Sequence, residues 1–120
     1  MSNKKLSLSK DGKELLDELV YSLDLDRPLV INIALAKGLT FEEELSFDAT
    51  SKPKWTIPEN IIRDKEFLLF KHLIISKRGT EITEETIHND MLYYIELGIR
   101  VLSKAIQEKN SLEDSRFVII

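Results

Sequence analysis

The sequence predicts a mostly α-helical single domain that opens with a short strand. Three observations carry that prediction. Apolar residues recur at helical spacing over most of the chain, glycine or proline punctuates the ends of those stretches, and alternation with a period of two is confined to the first few residues. A length of 120 residues suits one domain. The composition, 42% hydrophobic and 32% charged, belongs to a chain that can build a core rather than one that stays disordered.

Residues 4–10 read Lys-Lys-Leu-Ser-Leu-Ser-Lys. In an extended chain Leu6 and Leu8 point one way, and Lys5, Ser7 and Ser9 the other. Ser9 then suits an N-cap, and Leu15, Leu16, Leu19, Val20 and Leu23 form one stripe of a helix whose other face carries Lys13, Glu14, Asp17 and Glu18. Asp24 to Pro28 stops this helix and starts a second, with Asp26 as the expected cap. From Leu29 to Leu35 only Asn32 interrupts the apolar run, which predicts a buried helix or one shared between subunits. Gly38 is its expected stop. Together, residues 4–38 form a strand–helix–helix unit.

Residues 40–60 read as irregular, with one or two short extended pieces around Leu45, Phe47, Trp55 and Ile57. Trp55 is expected to be a lid on the core. Residues 61–109 then hold two longer helices. The first ends at Arg78 before Gly79, with Lys71, Lys77 and Arg78 either complementing its dipole or facing phosphate. The second begins after a Thr83 cap and repeats Ile87, Met91, Ile95, Gly98, Leu102 and Ile106 down to about Lys109. Gly98 in mid-helix costs about 1 kcal/mol relative to Ala, which a close helix–helix approach would explain. Tyr93, Tyr94, Leu97 and Val101 widen the stripe and suggest an oligomer interface. Residues 111–120 form a tail ending in Phe117-Val118-Ile119-Ile120.

The charge balance limits the function. The formal net charge is −4, so no global basic field attracts nucleic acid. Residues 80–120 hold 4 basic and 8 acidic side chains while the rest is balanced, which directs any DNA-facing surface to the first two thirds. The absence of cysteine excludes thiolate, persulfide and Cys-ligated cluster chemistry on this chain. No apolar run approaches the ~18 residues of a membrane span, so no membrane association and a cytoplasmic location are expected.

Catalytic constellations are weak. His72 and His88 both fall inside predicted helices, away from any motif, and Glu84 with His88 supplies only two metal ligands. No glycine-rich phosphate loop occurs. The expectation is a non-catalytic chain with no cofactor and no metal. Binding is better supported. The strand–helix–helix order is that of a ribbon-helix-helix unit, in which a two-stranded ribbon enters the major groove. On that reading Lys5, Ser7 and Ser9 face the groove, and Lys10 and Lys13 add phosphate contacts. The pattern is short, and taken alone it favours a plain edge strand over the ribbon.

The order of residues also resembles a known family. Leu6-Ser7-Leu8-Ser9-Lys10, then Leu15 and Leu19, then Ile33-Ala34-Leu35 resemble the start of the DndE family, the small subunit of bacterial DNA sulfur-modification systems. Trp55, Phe67-Leu68-Leu69-Phe70-Lys71, Thr83-Glu84-Glu85, and Glu96-Leu97-Gly98-Ile99 with Leu102 continue the likeness over about residues 5–104. The resemblance implies a ribbon-helix-helix-like homo-oligomer, expected to be a tetramer. It implies binding of double-stranded or nicked DNA through surface lysines, beside the other subunits of a phosphorothioation complex, which would carry the sulfur chemistry. Lys10 and Lys71 match the family; Lys5 and Lys13 come from the ribbon reading alone. Asn32, Tyr94 and Glu96 depart from it, each removing positive charge that the family often places there. The competing expectations are a ribbon-helix-helix transcription regulator or antitoxin, and an adaptor that never touches DNA.

Overall fold

The computed structural model describes residues 6–43, 45–58, 61–79 and 83–109. The tail and Lys5 therefore lie outside the described residues. Strand β1 (Ser7–Leu8) leads into α1 (Lys10–Leu23) and α2 (Arg27–Thr40); β2 (Trp55–Thr56) follows, then α3 (Asp64–Arg78) and α4 (Glu84–Lys109).

Helix α1 starts where the Ser9 Oγ accepts from the Gly12 N–H at 3.0 Å, and it ends at Asp24 in the left-handed region, φ 54°. Leu16, Leu19 and Leu23 are its buried stripe. At α2 the expected Asp26 cap has the right extended backbone, but its side chain makes no capping bond. Pro28 in the first turn pre-sets the helical φ instead. Gly38 does not stop α2, which runs on to Thr40. The reason is packing: a Cβ on Gly38 would collide with the Tyr94 carbonyl of α4 and reach within 3.2 Å of the Gly98 amide.

The same crossing explains Gly98. A Cβ there would collide with the Ala34 carbonyl and lie 2.9 Å from the Ala34 Cα. Ala34, Gly38 and Gly98 thus let the α2 and α4 backbones touch, as the cost of a mid-helix glycine implied. Helix α4 is the centre of the domain, packing on α1, α2, α3 and β1. That position consumes its wide apolar stripe: Tyr94 and Leu97 are buried within the chain, and Tyr93 alone of the flanking aromatics stays exposed, at 43%. The width of the stripe therefore comes from intrachain packing and needs no oligomer to explain it.

Helix α3 begins at Asp64, with the Glu66 carboxylate accepting from the Arg63 amide at 2.8 Å, later than the start expected at Glu59 or Ile61. Gly79, φ 72°, terminates it, its N–H reaching the Ile75 carbonyl at 2.8 Å. Thr83 caps α4, its Oγ1 accepting from the Thr86 amide at 3.2 Å. The two strands pair antiparallel within the chain, Ser7 opposite Thr56 and Leu8 opposite Trp55. The result is one mostly helical domain, with a core running from Leu8 and Leu16 through Ile31 and Leu35 to Ile95 and Leu102.

Candidate nucleic-acid interface

The site is built at the junction of β1 and α1. The first amides of a helix have no intrahelical partner. Here Ser51 supplies two: its carbonyl accepts from the Lys10 N–H at 3.1 Å, and its Oγ accepts from the Asp11 N–H at 2.9 Å. The cap therefore draws the segment carrying Lys52 and Lys54 across the start of α1, beside Lys10. All three lysines are exposed, and their side chains make no hydrogen bond or ion pair among the described residues.

Lys13 sits one turn further along α1 in a different setting. Its Nζ lies 2.6 Å from Asp17 Oδ2 and 5.2 Å from the Trp55 ring centroid. Arg27 approaches from α2, 2.8 Å from Asp17 Oδ1 and 5.6 Å from the same ring. Trp55 is half-buried under these cations and packs on the core, the lid expected of it. Burial alone would raise the Asp17 pKa, but hydrogen bonds from Lys13 and Arg27, and then their charges, bring it below the ordinary carboxylate value. Asp17 thus offsets part of the positive charge of Lys13 and Arg27, while Lys10, Lys52 and Lys54 keep theirs.

Beneath the junction lies a buried polar network. The Glu96 carboxylate accepts from the Ser9 amide at 2.8 Å and from the Ser9 Oγ at 3.1 Å. Arg100 pairs with it at 2.7 Å and donates to the Asp48 carbonyl at 3.2 Å, with its guanidinium 4.4 Å from the Phe47 ring centroid. The carboxylate sits at the N-terminus of α1, where the helix dipole favours negative charge. Gly12 makes room for it, since a Cβ there would meet Glu96 Oε1. Ser9 is consequently fully buried and cannot face a groove, which corrects the alternation reading at that position.

The remaining candidates separate. Lys71 is half-buried on α3, which packs against α2 and α4, whereas Lys10 and Lys13 belong to α1. Lys77, expected to serve its own helix or phosphate, instead donates to the Leu39 and Phe41 carbonyls at 2.8 and 3.1 Å and so caps the end of α2. His72 is exposed; His88 is buried with its ring 5.5 Å from Phe67. Among the described residues, no group of three His, Cys, Asp or Glu stands where it could hold a metal ion, and no helix is long and apolar enough to cross a membrane.

Sequence reading missed Lys52 and Lys54. The available signal was the Lys-Pro-Lys run directly before Trp55 and Ile57, whose alternation matches that of Leu6 and Leu8. Pairing those two stretches would have placed the lysines beside Lys10. No protein-family model, curated protein or solved structure matches the chain.

Proposed function

We propose that the chain is a non-catalytic, DNA-contacting scaffold subunit of the kind found in DNA sulfur-modification complexes. The observation that carries the reading is the Ser51 cap, which gathers Lys10, Lys52 and Lys54 on one exposed edge of an otherwise acidic protein. Such point charges suit phosphate oxygens and position a duplex without reading its bases. The strand–helix–helix order and the DndE-like residues agree with this reading, and the ribbon is then supplied by β1 and β2 of one chain.

That intrachain pairing weighs against the ribbon-helix-helix regulator or antitoxin, whose ribbon takes one strand from each of two subunits. The adaptor that never touches DNA remains the competing reading, favoured by the exposed leucines of α3.

Titration of fluorescently labelled intact and nicked duplexes tests the proposal. Binding at low salt to both, weakened together by Lys10→Ala, Lys52→Ala and Lys54→Ala, is expected. Absence of binding at low salt, alone and with the partner subunits, removes DNA from the function and leaves the adaptor.

A further inference from the structure

A groove of about 490 Å³ lies between α1 and the C-terminal part of α4, within the size range of sites that hold a ligand. Its apolar lining is Leu19, Tyr21 and Ile106, with Tyr21 86% exposed. Its charged lining is acidic. Asp17 already holds Lys13 and Arg27, whereas Glu18 is exposed and makes no ion pair among the described residues. The Ser103 Oγ, also in the lining, is buried and has no hydrogen-bond partner among the described residues. Leaving a buried hydroxyl unsatisfied is costly, so the groove calls for an occupant with polar as well as apolar groups.

The sequence that follows α4 matches this lining. Residues 110–120, outside the described ones, read Asn-Ser-Leu-Glu-Asp-Ser-Arg-Phe-Val-Ile-Ile. Asn110 and Ser111 suit a turn directly after the helix. Arg116 carries the charge opposite to Glu18, and Phe117 and Ile119 fall on one face of an extended segment. The backbone of such a segment offers donors and acceptors to the Ser103 hydroxyl. Glu113 and Asp114 come earlier, and Lys104, exposed in the last turns of α4, offers them a cation. The reach is sufficient. Ile106 stands three residues before Lys109, about 4.5 Å back along the helix. The seven residues from Asn110 to Arg116 extend to about 23 Å, enough to turn and return to the groove.

We propose that residues 116–119 of the same chain dock into this groove, with Phe117 against Tyr21 and Ile106 and Arg116 paired with Glu18. Tethering favours this occupant over a foreign one. A segment attached a few residues away meets the groove at an effective concentration on the order of millimolar, so contacts too weak to capture a separate peptide suffice. The docked segment covers the Tyr21 ring and gives the Ser103 hydroxyl its partner. The inference is independent of the DNA reading, and its experiment contains no DNA.

Paramagnetic relaxation in nuclear magnetic resonance tests it on the full chain. The sequence has no cysteine, so Ser115→Cys gives a single attachment point for a nitroxide. Amides of α4 near Lys109 broaden beside any label on the tail, so the reading is taken on α1. The signals of Glu18, Tyr21 and Ser22 are expected to broaden, and to recover when the nitroxide is reduced. Phe117→Asp in the spin-labelled chain is expected to abolish that broadening. Tyr21→Ala is expected to abolish it too, with helical circular dichroism unchanged because the side chain is exposed. Glu18→Gln is expected to reduce it, and full broadening in that variant overturns the pairing with Arg116. Sharp α1 signals in the spin-labelled parent chain overturn the proposal, as does broadening that survives Phe117→Asp or Tyr21→Ala. Broadening of isotope-labelled chains mixed with spin-labelled, isotope-free ones also overturns it, because the tail would then dock on another molecule.

Discussion

Ser9 and Glu96, 87 positions apart, are joined by two hydrogen bonds to one carboxylate, at 2.8 Å from the Ser9 amide and 3.1 Å from its hydroxyl. The same hydroxyl accepts from Gly12 and so caps α1. One buried acid on the central helix thus fixes both the end of the ribbon and the start of the helix that carries Lys10. The basic edge is placed by this network rather than by local sequence preference.

Replacing Glu96 by Ala should therefore be severe. It leaves the Arg100 side chain, 11% exposed, without its ion-pair partner and the Ser9 amide without an acceptor. Breaking one side of a buried pair costs about 3–5 kcal/mol. Urea unfolding is expected to show that loss, with Glu96→Gln less damaging because it can still accept from Ser9. A loss near zero would mean that Arg100 and Ser9 find other partners.

Gly98→Ala separates propensity from packing. In an exposed helix the change stabilises by about 1 kcal/mol. Here the new methyl meets the Ala34 backbone, which cannot rotate away. Overpacking of this kind costs about 1–3 kcal/mol. A lowered urea midpoint is expected, and a raised one would contradict the close crossing.

The ribbon strand gives a third outcome. Leu8 is fully buried, and truncating such a leucine to Ala costs about 2–5 kcal/mol. Leu8→Ala should lower the thermal midpoint clearly, whereas Lys10→Ala should leave it nearly unchanged, since the Lys10 side chain is exposed.

Asp17 predicts a pH effect whose sign follows from its lowered pKa. A carboxylate with a folded pKa below its unfolded one stabilises the fold above the unfolded value and loses that contribution as pH falls through the folded value. The window is thus acidic, starting near the ordinary aspartate value of 3.8 and extending below it. Because the side chain is 43% exposed, screening holds the contribution under about 1 kcal/mol. Asp17→Asn should lower the unfolding free energy slightly at neutral pH, and the gap to the wild type should close below pH 3.8. A gap that persists in strong acid would assign the effect to packing.

Much of the helical frame was legible because each helix announces itself locally. Ser9 and Thr83 are caps whose hydroxyls bond as such residues do, and α4 repeats its apolar residues to Lys109 as the spacing predicts. Gly98 was legible through its cost. What escaped was whatever depended on distant partners. Gly38 looked like a stop signal because glycine ends many helices, and only the α4 backbone beside it reveals the other use. Lys77 looked like a cap for its own helix, yet it serves α2. Lys52 and Lys54 were legible only by pairing the Lys-Pro-Lys run with the first strand, because their neighbour Lys10 is 42 and 44 positions away and is reached through Ser51.

The central claim is that Lys10, Lys52 and Lys54 act together on phosphate. Duplex affinity measured against salt concentration, for the wild type and the variant with all three changed to Ala, tests it most directly. Each neutralised phosphate adds about 0.9 to the steepness of log affinity against log salt. The account predicts that the variant binds more weakly at low salt and that its slope is shallower by roughly 2–3. Equal slopes for the two proteins, or no wild-type binding at low salt, would contradict it.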